Sequence, residues 1–152
     1  MKNIFLTILL LLALFEIGYC KIWYVSNSGS NSNNGTEQFP FKTIDKAVDE
    51  ASNMDSISLD KGEFNGANII INKVLNIYGI NPNFTIISCT ASAFSKIEKK
   101  NGYSGLQFLY GGSLKRVMIQ SCEPAVSCGS CDRTSPYPIN FENVVFYDNL
   151  VI

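Results

Sequence analysis

Cys128-Gly-Ser-Cys131 has the spacing of a redox dithiol or of half a zinc site. A redox dithiol works at a helix N-terminus beside a strand–helix–strand unit, where the helix stabilises the thiolate, and no helical periodicity follows Cys131. Zinc would require Cys89 and Cys122 to converge as the other two ligands. The plainer chemistry is oxidation, so that Cys89, Cys122, Cys128 and Cys131 staple an exported chain as disulfides. Four cysteines allow three pairings. Cys89 and Cys122 both close short isoleucine-bearing strands, which stacking of neighbouring strands would bring together.

The chain contains no histidine, which removes imidazole acid–base chemistry, histidine-activated serine or cysteine nucleophiles and histidine-ligated zinc. Asp45 and Asp49 stand at i and i+4, but such a pair is the ordinary solvated side of a helix. Arg116 and Arg133 are the two arginines; Arg133 falls in a Cys/Pro-rich loop and Arg116 in a strand, with no acid placed as a partner for either. No catalytic residue, cofactor site or metal site is therefore assigned. Tyr103, Tyr110, Tyr137 and Tyr147 are aromatic groups of the kind that stack on sugar rings.

These residues sit behind an export signal. Lys2 supplies a positive start, Ile4 to Phe15 is apolar apart from Thr7, and Gly18 and Cys20 are small residues at −3 and −1 of a cleavage after Cys20. The apolar run is shorter than the ~20 residues of a membrane-spanning helix, which favours a cleaved signal over an anchor. Residues 1–20 are read as the signal peptide and residues 21–152 as one domain, secreted and without a membrane span. Removing Cys20 leaves an even four cysteines. It also gives meaning to two glycan-acceptor sequons, Asn34-Gly-Thr36 and Asn83-Phe-Thr85. The formal net charge of −1 and the lack of a basic cluster argue against nucleic acid as a partner; Lys96, Lys99 and Lys100 surround Glu98 in a solvated loop.

Ile22-Trp23-Tyr24-Val25 reads as a strand, and residues 26–38, rich in Ser, Asn and Gly, as a loop. Ile44, Ala47, Val48 and Ala51 then form the apolar stripe of a short helix capped by Thr43. Beyond it, Ile57/Leu59, Leu75/Ile77, Val117/Ile119 and Val144/Phe146 each place two apolar residues at i and i+2, predicting core-facing strands. Further short runs lie at 68–71, 84–88 and 106–109, and turn residues such as Gly62, Gly79, Gly111-Gly112 and Pro138 separate the runs. The stretch from Leu114 to Cys122 aligns with Phe141 to Asn149 at a spacing of 27. Leu59 to Ile77 spans 18 residues, and Ile77 to Val117 spans 40, read as two turns of a solenoid. Irregular repeats of about this length favour a parallel β-helix over a sandwich.

Tyr24-Val-Ser-Asn-Ser-Gly-Ser-Asn-Ser-Asn-Asn-Gly35 followed by Phe39-Pro-Phe-Lys-Thr-Ile44-Asp-Lys-Ala47 resembles the opening of secreted right-handed parallel β-helix proteins of the pectin lyase-like superfamily. The segments 55–64, 68–79 and 85–87 are similar to the first coils of pectin methylesterases and their non-catalytic relatives. Gly111-Gly-Ser-Leu114 and Phe146-Tyr-Asp-Asn149 resemble repeats of polymorphic outer-membrane proteins and of surface β-helix proteins in social amoebae. The resemblance implies an all-β, right-handed parallel β-helix with a short N-terminal capping helix, made of the first coils of a longer scheme. The superfamily's esterases use two aspartates and an arginine on a central coil, and its lyases use calcium-binding acids with an arginine. No residues of this chain match those positions. The function expected is thus a non-catalytic extracellular module for surface structure, adhesion or glycan contact, with a remnant of a pectin esterase or lyase as the alternative. The partners expected are polysaccharide or cell-surface glycans, and self-association through the C-terminal coil.

Overall fold

A computed structural model describes residues 19–89, 104–122, 124–129 and 138–149. The elements are β1 (Ile22–Val25), α1 (Ile44–Glu50), β2 (Ser56–Leu59), β3 (Gly62–Asn65), β4 (Ile69–Ile71), β5 (Leu75–Tyr78) and β6 (Thr85–Ser88). They continue with β7 (Leu106–Phe108), β8 (Gly112–Lys115), β9 (Met118–Gln120), β10 (Val126–Cys128), β11 (Ile139–Glu142) and β12 (Val145–Tyr147). Three sheets result: sheet A in the order β1-β2-β5-β8-β11, sheet B β12-β9-β6-β3 and sheet C β10-β7-β4. Every strand pairing is parallel. From β2 onward the chain visits A, B and C in rotation, so each strand pairs with the strand one circuit later.

This circuit is why so short an apolar pattern suffices. Alternation puts one residue in two toward the interior, and the register stacks those residues into columns. Trp23, Ile57, Ile77, Leu114 and Phe141 form one column on sheet A; Phe64, Ile87, Ile119 and Phe146 form another on sheet B. Ile69 with Leu106, and Ile71 with Phe108, line sheet C. Ile57, Ile71, Leu75, Ile77, Ile87, Leu106, Phe108, Leu114 and Ile119 have no accessible surface. Each such side chain contributes about 1.5–3 kcal/mol of burial.

In the last two circuits the corners on either side of the B strands carry single left-handed residues. Arg116 (φ 55°) and Asn143 (φ 52°) bend the chain from A to B in successive circuits, and Ser121 (φ 56°) and Asp148 (φ 48°) recur after the B strands. Asn and Asp tolerate this conformation because their short side chains bond locally. The same 27-residue repeat appears in the pairings Leu114–Phe141 and Ile119–Phe146.

Helix α1 covers one end of the stack, packing against β1, β2 and β4 with Ile44, Ala47 and Val48 buried. Thr43 caps it, its Oγ1 accepting from Lys46 N. Asn31 of the polar loop holds that cap by accepting from Lys42 N at 3.0 Å and Thr43 N at 3.2 Å. The loop is therefore a structural strap as well as a connector. Its Gly35, at φ 72°, lies against Phe41 and Trp23, where an added Cβ would come within 2.4 Å of the Phe41 ring.

Four expectations change. The 40 residues from Ile77 to Val117 span one circuit, because Ile77 pairs with Leu114 and a long connection joins β6 to β7. Gly62 and Gly112 begin strands at positive φ rather than forming turns between them. Arg116 is an exposed corner residue and not part of a strand. Phe146 continues a core column yet is 47% exposed, since no described strand stacks beyond β12; Val144 is partly buried.

Candidate functional site

Residues facing outward from sheet A form two aligned rows. Ile22, Ser56, Asn76, Ser113 and Asn140 make the first; Tyr24, Ser58, Tyr78, Lys115 and Glu142 make the second. Parallel strands about 4.8 Å apart turn these rows into a flat face bearing amides, hydroxyls and two tyrosines two strands apart. Arg116 joins it from the corner, its guanidinium 5.5 Å over the Tyr78 ring, a distance at which a cation is attracted to the ring face.

A cleft of about 550 Å³ opens here, lined by Asn76, Tyr78, Ser113, Lys115, Arg116 and Asn140. Ser113 Oγ donates to Asn76 Oδ1 at 2.8 Å, which leaves the Asn76 amide N–H groups available to a ligand. Lys115 pairs with Glu142 at 2.7 Å. The hydrogen bond and charge of Lys115, with a smaller contribution from Arg116, hold the Glu142 carboxyl below its ordinary range. A second cleft of about 450 Å³ lies at the β1 end of the same face, lined in part by Tyr24, Ser26, Glu37, Ser58 and Asp60. Asp60 Oδ2 there accepts from Ser26 Oγ at 3.1 Å.

The residues singled out by type lie elsewhere. Cys89 and Cys122 form a disulfide, with Cα atoms 4.9 Å apart. Cys128, in β10, is also disulfide-bonded; Cys131 lies outside the described residues, and Cys20 is a free, exposed thiol. Asn34 and Asn83 are both exposed. Asn34 Oδ1 accepts from Thr36 Oγ1 at 2.9 Å. Thr85, of the other sequon, is buried and donates to Asp60 O at 3.1 Å. Asp45 and Asp49 are on exposed helix positions; partial desolvation, then the Asp49 charge, raise the Asp45 carboxyl pKa. Tyr110 and Tyr147 are exposed, whereas Tyr103, Tyr137, Arg133, Lys96, Lys99 and Lys100 lie outside the described residues. Among the described residues no three of His, Cys, Asp or Glu gather to hold a metal, and no helix is long and apolar enough to cross a membrane.

Tyr24, Tyr78 and the amides beside them were not legible as a group. Only pairing register aligns residues 20 and 37 positions apart, though the recurrence of Ser, Asn and Tyr between apolar positions of successive strands is the signal that could have found them. Asp55 was also missed. It is 4% exposed and accepts from Trp23 Nε1 at 3.0 Å and from Ser52 N and Lys21 N, each at 2.8 Å.

The model of one protein family, described as a protein of unknown function (DUF1565), matches residues 27–87. That family is associated with parallel β-helix proteins, and the matched stretch runs from the polar strap through α1 into β6. No curated protein and no solved structure matches the chain.

Proposed function

We propose that the protein is an exported, non-catalytic module, a right-handed parallel β-helix of the pectin lyase-like kind, that contacts extracellular glycans through the outer face of sheet A. The observation that carries this is the alignment of Tyr24, Tyr78 and Arg116 with the side chains of Asn76, Ser113 and Asn140 on one flat face. Sugars offer C–H faces that pack on aromatic rings, and hydroxyls that exchange hydrogen bonds with amides and serines. The parallel circuit and the match over residues 27–87 support the β-helix reading. Right-handed winding follows from the strong preference of parallel crossover connections. The leader at 1–20 and the disulfides support secretion, and exposure of Asn34 and Asn83 supports glycan attachment.

A second reading, a remnant of a carbohydrate-active enzyme, draws on Glu37 and Asp60, two carboxylates that line one cleft with Tyr24. One experiment separates the two. Polygalacturonate, methylated pectin and a neutral glucan are titrated against the secreted protein and against Tyr78→Ala, with release of products followed in parallel. Binding without turnover, weakened about tenfold by Tyr78→Ala, supports the module. Turnover abolished by Asp60→Asn would replace it with the enzyme.

The end of the stack supports self-association of copies there. Phe141 and Phe146 continue core columns, meet edge to face at 5.7 Å, and are 50% and 47% exposed.

A further inference from the structure

The chain changes character between Cys20 and Lys21. Tyr19 is 82% exposed and Cys20 is an exposed free thiol. At Lys21 the backbone enters the fold: its carbonyl accepts from Ser56 N at 2.9 Å, and its nitrogen donates to Asp55 Oδ1 at 2.8 Å. The other Asp55 oxygen is held by Trp23 Nε1 and Ser52 N. Lys21 Nζ folds back over the Trp23 ring, 3.3 Å from its centroid. Small residues at 18 and 20 independently mark the same peptide bond as one a leader peptidase cuts.

We propose that hydrolysis of the Cys20–Lys21 bond is a maturation step that turns the Lys21 nitrogen into an α-ammonium seated on the buried Asp55 carboxylate, locking β1 onto β2. This rests on the export reading above. A leader peptidase supplies the cut and water is the co-reactant. The C–N bond breaks, the Cys20 carbonyl carbon gains the water oxygen as a carboxylate, and the Lys21 nitrogen leaves as –NH₃⁺. The nitrogen that already donates to Asp55 as a neutral amide keeps its place and acquires a charge. Charge-assisted hydrogen bonds are roughly twice as strong as neutral ones, and a nearly inaccessible carboxylate gains most from a fixed counter-charge. Before cleavage the same carboxylate already feels the Lys21 side-chain charge, while the charges of Lys46, Lys21 and Lys73 all act on Glu50.

The pairing has a pH signature. A free α-amino group ordinarily titrates near ~8, and pairing raises that value in the folded state. The added stability is therefore complete below pH ~7 and lost as pH rises through the raised value.

The test expresses the full chain in a secreting host, identifies the N-terminus by mass spectrometry, and records thermal unfolding between pH 6 and pH 10. A second form carries Gly-Ser inserted before Lys21, which moves the ammonium away while leaving Asp55 and the Lys21 amide intact. The expected result is an N-terminus at Lys21, with a Tm at pH 6 about 4 °C above that of the inserted form. The gap should close toward pH 10, and Asp55→Asn in both forms should remove it at every pH. An N-terminus at Lys21 with equal Tm values throughout overturns the lock and leaves the export reading standing. Cleavage at another bond overturns the lock and leaves export standing, and a retained leader overturns both.

Discussion

Cys89, just past β6, is bonded to Cys122, just past β9, so that the disulfide joins two neighbouring circuits at the same corner of the stack across 33 residues of chain. The backbone there is already tied, Cys89 N donating to Gln120 O at 3.2 Å. The ring it closes holds one full circuit, including the long connection between β6 and β7. Loop-closure entropy for a ring of this size is about 3–4 kcal/mol. Cys89→Ser with Cys122→Ser should lower unfolding free energy by that order in urea titrations. A midpoint unchanged from the parent would refute the strap role.

Lys73, in the corner before β5, caps the C-terminus of α1. Its Nζ donates to the carbonyls of Val48 at 2.8 Å, Asp49 at 3.1 Å and Ala51 at 2.6 Å. These are groups a helix end leaves without partners, at the negative pole of its dipole. Lys73→Met keeps the stem and removes the donors, and should cost about 1–2 kcal/mol. Chemical denaturation measures this directly; a loss below a few tenths of a kcal/mol would show that water serves the carbonyls as well.

Gly112 opens β8 at φ 144°, and an added Cβ would lie 2.3 Å from the Leu75 carbonyl oxygen of the strand it pairs with. Gly112→Ala therefore meets rigid backbone, and a loss above ~2 kcal/mol is expected. At Gly129 the nearest atom is the tip of the Leu109 side chain at 3.1 Å, so Gly129→Ala should be milder. Comparable Tm losses for the two variants would contradict this ranking.

Burial acts to raise the Asp55 pKa, but hydrogen bonds from Ser52, Lys21 and Trp23 and the Lys21 charge outweigh it, leaving the carboxyl below its ordinary value. A depressed acid contributes stability that is present above its unfolded pKa of ~3.9 and disappears as pH falls through the folded value. Trp23→Phe removes one donor, so it should cost about 1–2 kcal/mol at pH 7 and shrink the acid-dependent part of the stability. Denaturant midpoints from pH 2 to pH 7 give both quantities, and parallel curves for parent and variant would rule out the role assigned to Trp23.

Phe141 and Phe146 should govern association if the end of the stack is sticky. Sedimentation of the parent at rising concentration should show larger species that Phe141→Ser with Phe146→Ser removes. A parent monomeric throughout would count against self-association there.

Helix α1 was legible to its cap, because Thr43 and the Ile44/Ala47/Val48 stripe are local signals with a 3.6-residue period. The paired apolar positions at 57/59, 75/77 and 117/119 were legible as inward-facing for the same reason, since alternation is local. β10 escaped notice, and Gly62 and Gly112 read as turns although each opens a strand. Glycine at positive φ begins a strand here because the Leu75 backbone of the neighbouring circuit presses on Gly112 and the Asn27 side chain presses on Gly62. That pressure comes from 20 or more residues away and leaves no local mark.

The sequence by itself determined the alternation that makes strands, the cysteine count, the polar strap, the leader pattern and the 27-residue repeat of the last circuits, all of them properties of near neighbours. Only the tertiary structure decided which cysteines meet, that Ile77 to Val117 is one circuit, and which outward side chains share a face. It also decided that the Lys21 nitrogen lands on Asp55. Those outcomes depend on strand register and on connections of unequal length, and stacking fixes both across distances that residue spacing does not encode.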